Sequence, residues 1–167
     1  MDSVISRRRF VSILAGTGFV GAGIFGISNN LADLEEVTSW KFRTDTHILD
    51  SKYELVENKV SLRTILTTNI QKETNWEEII AVDPVYASKF NTDSEDTFIT
   101  VISVNIPLDK MIHRDRSKIN NGEIIEHFQI LNSHTEGDQF KNYNVITKYR
   151  HHKVPEGHKV VFQTVQD

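Results

Sequence analysis

The sequence predicts an all-β domain, an antiparallel β-sandwich, lying behind a distinct N-terminal segment. Beyond residue 33 the apolar residues recur with period two in short runs separated by polar turns, and helical spacing is scarce. The 135 residues that follow the first 32 are enough for one hydrophobic core. No repeat, low-complexity tract or Pro/Gly linker divides them.

Strands are expected near residues 40–44, 47–56, 60–70, 98–107, 123–132, 143–152 and 159–165, with a short amphipathic turn over 31–37 as a lead-in. Val60, Leu62, Leu66 and Ile70 share one parity, as a half-buried antiparallel strand requires. The stretch Phe98-Ile99-Thr100-Val101-Ile102-Ser103-Val104 is apolar on both parities, so it should be central. Asn120-Asn121-Gly122, Thr135-Glu136-Gly137-Asp138 and Pro155-Glu156-Gly157 carry the residues that turns demand. Two helices are expected, one over 75–81 with Asn75 as N-cap and Glu77 and Glu78 in the first turn, the other over 108–117. Seven short strands with little helix point to an immunoglobulin-like architecture, with a small β-barrel as the alternative. The chain has no cysteine, so the likeness is one of architecture without the disulfide framework.

The first 32 residues read differently. Gly16-Thr17-Gly18-Phe19-Val20-Gly21 spells G-x-G-x-x-G, the turn that seats a dinucleotide pyrophosphate. That motif needs a strand–helix–strand unit, and no buried parallel strand follows. Five of the eight glycines lie between Gly16 and Gly26, so the spacing arises readily by chance. Before them, Ser6-Arg7-Arg8-Arg9-Phe10 opens a glycine-rich uncharged run over residues 10–27. This stretch resembles a twin-arginine (Tat) export signal: Ser6, Arg7, Arg8 and Phe10 match its pattern, Val11 is conservative, and Ser12 departs from the usual lysine. The resemblance covers about thirty residues. It implies passage through the Tat translocation machinery, which carries proteins already folded. Residues 1–32 are thus expected to be a signal peptide, or an uncleaved anchor giving membrane association through 10–27, and residues 33–167 a single sandwich domain.

After export, sixteen basic residues face 22 acidic ones, a net charge of about −6. An acidic body argues against nucleic acid as the main partner, because phosphate binding needs basic excess. No G-x-S-x-G, H-E-x-x-H, Cys/His ligand set or EF-hand loop is present, so no catalytic residue is assigned. Of the seven histidines, His151, His152 and His158 flank one turn. If residues 143–165 form a hairpin, strand parity puts His158 on one face with His152 or with His151, depending on loop length. Those three are the candidate ligands for zinc or a similar metal; no other cofactor is expected. Lys141, Lys148, Arg150, Lys153 and Lys159 stand against the single acid Glu156, and read either as protection of an edge strand or as a ridge that captures an anionic ligand.

The expected function is that of an exported, non-enzymatic binding or surface-associated module at the cell surface or in the medium, its partner an extracytoplasmic protein or polysaccharide. A small metal-dependent enzyme or metal carrier using the C-terminal histidines is one alternative. A membrane-tethered accessory subunit is another.

Overall fold

The computed structural model describes residues 34–57, 60–91 and 94–164. The twin-arginine segment lies outside them. Eight strands form two sheets. β1 (Glu35–Thr44), β2 (Glu54–Glu57), β3 (Val60–Thr67), β4 (Thr97–Pro107) and β7 (Phe140–Arg150) make a five-stranded sheet in the order β1-β7-β4-β3-β2. β5 (Lys110–Asn120), β6 (Glu123–Asn132) and β8 (Gly157–Thr164) make a three-stranded sheet in the order β5-β6-β8. The result is an all-β sandwich that does not close into a barrel.

β4 sits at the centre of the larger sheet, as its two apolar parities required. Both faces of that sheet are covered. On one side, Phe98, Ile102, Val104 and Ile106 meet Ile112, Ile124, Phe128 and Val160 of the smaller sheet. On the other, Ile99 and Val101, with Phe42, Ile65 and Ile146, pack beneath α1 (Ile70–Glu73), α2 (Trp76–Val82) and α3 (Pro84–Ser88). Ile79, Ala87 and Phe90 supply the helical side of that contact. Asp83 caps α3 by accepting the amides of Val85 and Tyr86 at 3.0 and 2.9 Å, with Pro84 in the first turn.

Several expectations need correction. Residues 110–117 are strand and Leu108-Asp109 the turn before it, not helix. Leu108, Met111 and Ile112 have helical spacing, but β5 pairs with β6 through a two-residue turn, and that local pairing prevails. Asn121 and Gly122 have φ of 49° and 79°, so both central residues are left-handed, as a type I′ hairpin turn requires. Of the amphipathic lead-in expected over 31–37, residues 35–37 belong to β1, and 31–33 lie outside the described residues. Of residues 47–56 only 54–56 are strand; Ile48 and Leu49 are buried, and Asp50 then caps a 3₁₀ turn over Ser51–Tyr53. Ile70 begins a helix instead of ending β3. The final hairpin does not exist either: β8 leaves β7 and pairs with β6, in parallel, so the sandwich is antiparallel except for that pair. Gly157 opposes Glu123 in the pair, and a Cβ there would lie 2.9 Å from the Glu123 carboxylate, so the Glu123 side chain packs over the glycine.

Candidate functional site

Strand parity points a row of polar side chains into the space between the sheets. From the larger sheet come Thr64 on β3, Thr100 on β4, and Thr147 and Tyr149 on β7; from the smaller come Arg114, Glu126 and His158 on β5, β6 and β8. Thr64, Thr100, Glu126, Thr147, Tyr149 and His158 are buried, Glu126 with no exposure at all. The row separates two apolar clusters, one around Ile102, Val145 and Phe128, the other around Phe98, Ile124 and Leu66.

Glu126 is the hub. One carboxylate oxygen accepts the Tyr149 hydroxyl at 2.6 Å and has Arg114 at 3.5 Å; the other is 2.7 Å from His158 Nε2. His158 Nδ1 lies 2.9 Å from the Thr64 hydroxyl. With Nε2 donating to the carboxylate, Nδ1 accepts the hydroxyl proton in a neutral ring and donates to the oxygen in a charged one; Thr64 serves both states. Arg114 also bonds Thr147 and the half-exposed Glu36, so the network reaches solvent along β1. Burial is the largest influence on Glu126 and raises its pKa. The hydrogen bond and attraction of His158, then Tyr149 and Arg114, outweigh it and hold the carboxyl below its ordinary value. Tyr149 moves up strongly, through burial first and then the Glu126 charge.

Thr64, His158 and Glu126 have the connectivity of a nucleophile, a base and an orienting acid. Their setting does not suit that chemistry. Thr64 is 3 % exposed and His158 2 %, with β2–β4 on one side and β6 and β8 on the other. No substrate carbonyl reaches the hydroxyl between two packed sheets. What the arrangement does is bind the sheets to each other through paired polar groups.

The predicted metal ligands are not brought together. His158 has both ring nitrogens engaged in the core. His151 and His152 stand past the end of β7, their rings 4.0 Å apart, and His151 Nδ1 is held by the backbone of Lys153. Among the described residues no three His, Asp or Glu side chains gather as a metal site would need. The grouping assumed a β7–β8 hairpin, and β8 pairs with β6 instead.

The cationic ridge is dispersed for the same reason. Lys141 pairs with Asp45, Arg150 with Glu35 and Asp96, and Lys153 with Glu156. Lys148 donates to the carbonyls of Lys89 and Asn91 on the helical side. Lys159 alone stands on the outer face of the smaller sheet, where Arg116, Lys118 and His127 join it. Arg116 was hidden because 108–117 looked helical, and its grouping with Lys118, His127 and Lys159 because partners across a sheet are remote in sequence.

A solvent-open cleft of about 280 Å³ lies between the 47–52 and 72–75 segments. Lys52 and Lys72 line it together with Asp50 and Glu73, so its charges balance. Glu73 already accepts the Tyr53 hydroxyl. No family model, curated protein or solved structure matches the chain.

Proposed function

We propose that this protein is exported by the twin-arginine route and works outside the cytoplasmic membrane as a non-catalytic binding or surface-associated module. The observation that carries the reading is the sealing of the Thr64–His158–Glu126 constellation within the sandwich. The groups with catalytic connectivity are spent on holding the sheets, which leaves recognition to the outer surfaces. Two features support the export half. Residues 6–27 have the order of charges, glycines and apolar residues that a Tat signal has. The sandwich also joins its sheets without a disulfide, which suits a protein that folds before it is carried. The partner on this reading is an extracytoplasmic polysaccharide or protein.

Fractionation of cells tests the reading. Replacing Arg7 and Arg8 together by lysine should retain the protein in the cytoplasm, because Tat recognition reads the guanidinium pair and not charge alone. Export undiminished in that variant defeats the proposal. The intact mass of the exported form then decides between a removed segment and a membrane tether through residues 10–27.

A further inference from the structure

We infer that the outer face of the β5-β6-β8 sheet is an anion-binding surface fitted to an acidic polysaccharide. The source of the ligand rests on the reading of the chain as an exported binding protein; the charge of the ligand does not.

The register defines the surface. Because Glu126, His158 and Val160 point inward, their neighbours in each strand point out. Arg116 stands opposite His127, and His127 opposite Val161. One step along, Lys118 stands opposite Ile125, and Ile125 opposite Lys159. Three permanent cations and a histidine thus surround a small apolar floor of Ile125 and Val161.

What marks this face is three unneutralised cations on the strands of one sheet, where many of the other cations are paired. Arg63, Lys110, Arg114, Lys141, Arg150 and Lys153 each have a carboxylate within ion-pair distance. Among the described residues Lys118 and Lys159 have none, and Arg116 reaches only its chain neighbour Asp115, at 4.0 Å. His127 has both ring nitrogens covered and without a hydrogen-bond partner. Burial lowers its pKa, and Arg116, Lys118 and Lys159 lower it further, against a smaller opposing pull from Asp115. The remaining titratable groups that flank this face are Glu123, which lies against Gly157 at the β8 end, and His113 on β5. An anion laid across the face relieves the repulsion among the three cations and lets His127 take up a proton.

The layout selects the kind of anion. Lys118 and Lys159 are two strand spacings apart, roughly 10 Å, on a flat surface. Single phosphates are held instead by converging amides or a helix N-terminus. Charges repeated along an extended chain match separated cations. No Phe, Tyr or Trp stands among these outward positions to stack a nucleobase, which disfavours single-stranded nucleic acid. The chain as a whole is net acidic, which disfavours a polyanion on its carboxylate-bearing surfaces, and binding at this face falls with salt.

The test is equilibrium binding of the full chain to polygalacturonate, with neutral dextran, inorganic phosphate, a single-stranded polynucleotide and phosphatidylglycerol vesicles as separate arms. Polygalacturonate should bind most tightly, weaken with added salt, and tighten several-fold between about pH 8 and pH 5.5 as His127 protonates. The K118Q/K159Q variant should bind at least about tenfold more weakly, both cations being lost. H127Q should bind at pH 8 like the parent and lose the tightening at low pH. K72Q/K89Q, which removes the same charge elsewhere, should bind as the parent does. Absence of polygalacturonate binding overturns the inference, as does equal loss in the two double variants, or tighter binding to vesicles, polynucleotide or phosphate. Each of those results leaves the export experiment untouched, so the two readings fail separately.

Discussion

Replacing Glu126 by glutamine tests whether the buried network holds the two sheets together. The carboxylate is fully buried and accepts from Tyr149 and His158, with Arg114 close by. Removing one member of a buried charged set costs about 3–5 kcal/mol, because the remaining charge is left uncompensated. Glutamine keeps the volume and can still accept from Tyr149, and Arg114 retains Glu36, so the loss should fall near the lower end, about 3 kcal/mol. Leucine at the same position leaves the Tyr149 hydroxyl and the imidazole unpaired at about 1–3 kcal/mol each, and should cost about 2 kcal/mol more. Domains of this size have about 5–15 kcal/mol in all, so Glu126→Leu approaches the limit of folding.

The assay is urea unfolding followed by Trp40 and Trp76 fluorescence and by far-ultraviolet circular dichroism, at several pH values. The folded carboxyl titrates below its ordinary value of 4.5, so the folded state binds its proton less readily than the unfolded chain. Its contribution is therefore whole above about pH 4.5 and drains away as the pH falls through the lower folded value. Glu126→Gln should lower stability at pH 7 and flatten that acid limb. A variant within about 0.5 kcal/mol of the parent at pH 7, with the acid limb intact, would refute the role given to this residue.

Tyr149→Phe should cost about 1.5–3 kcal/mol, since it removes a hydrogen bond to a charged group, and it should show coupling with Glu126→Gln in a double-mutant cycle; additivity would mean the two do not act together. Gly122→Ala should cost about 1 kcal/mol by urea midpoint, because φ at Gly122 is 79° and alanine is strained there. Ser103 on β4 is buried with its hydroxyl unpaired, so Ser103→Ala should be neutral or stabilising by up to about 1 kcal/mol; a clear loss would reveal a partner for that hydroxyl.

The elements that were legible in the sequence are those whose signals are local. β4 announces burial on both faces, β6 has its predicted bounds, and the Asn121-Gly122 turn names its own conformation. What was misread depends on which strand each segment pairs with. Residues 108–117 satisfy a helical spacing weakly and a strand equally, and only the β6 partner decides. The departure of β8 from β7 left no mark in sequence, so His158 was grouped with the neighbouring His151 and His152 when its partners are Thr64 and Glu126. Glu126 itself carried a faint signal. It shares the inward parity of β6 with Ile124 and Phe128, and a carboxylate between two buried apolar residues is out of place unless it is paired.

That misplaced carboxylate bears on how the sandwich chooses its register. Along β6 the inward residues are Ile124, Glu126 and Phe128, and the outward ones Ile125, His127 and Gln129. A slip of one residue would bring Ile125, His127 and Gln129 inward and turn the buried Ile124 and Phe128 out, so apolar burial already opposes it. The buried network adds to that penalty. Slipping takes Glu126 away from Tyr149, His158 and Arg114 at once, leaves those groups unpaired between the sheets, and places His127 among them with no carboxylate to offer Arg114. The added penalty is several unsatisfied buried groups, each worth about 1–3 kcal/mol. The same register that seats Glu126 inside also presents Arg116, Lys118, His127 and Lys159 outside. Inner network and outer cationic face are two sides of one strand alignment, so a variant that loosens the first should blur the second before the domain unfolds.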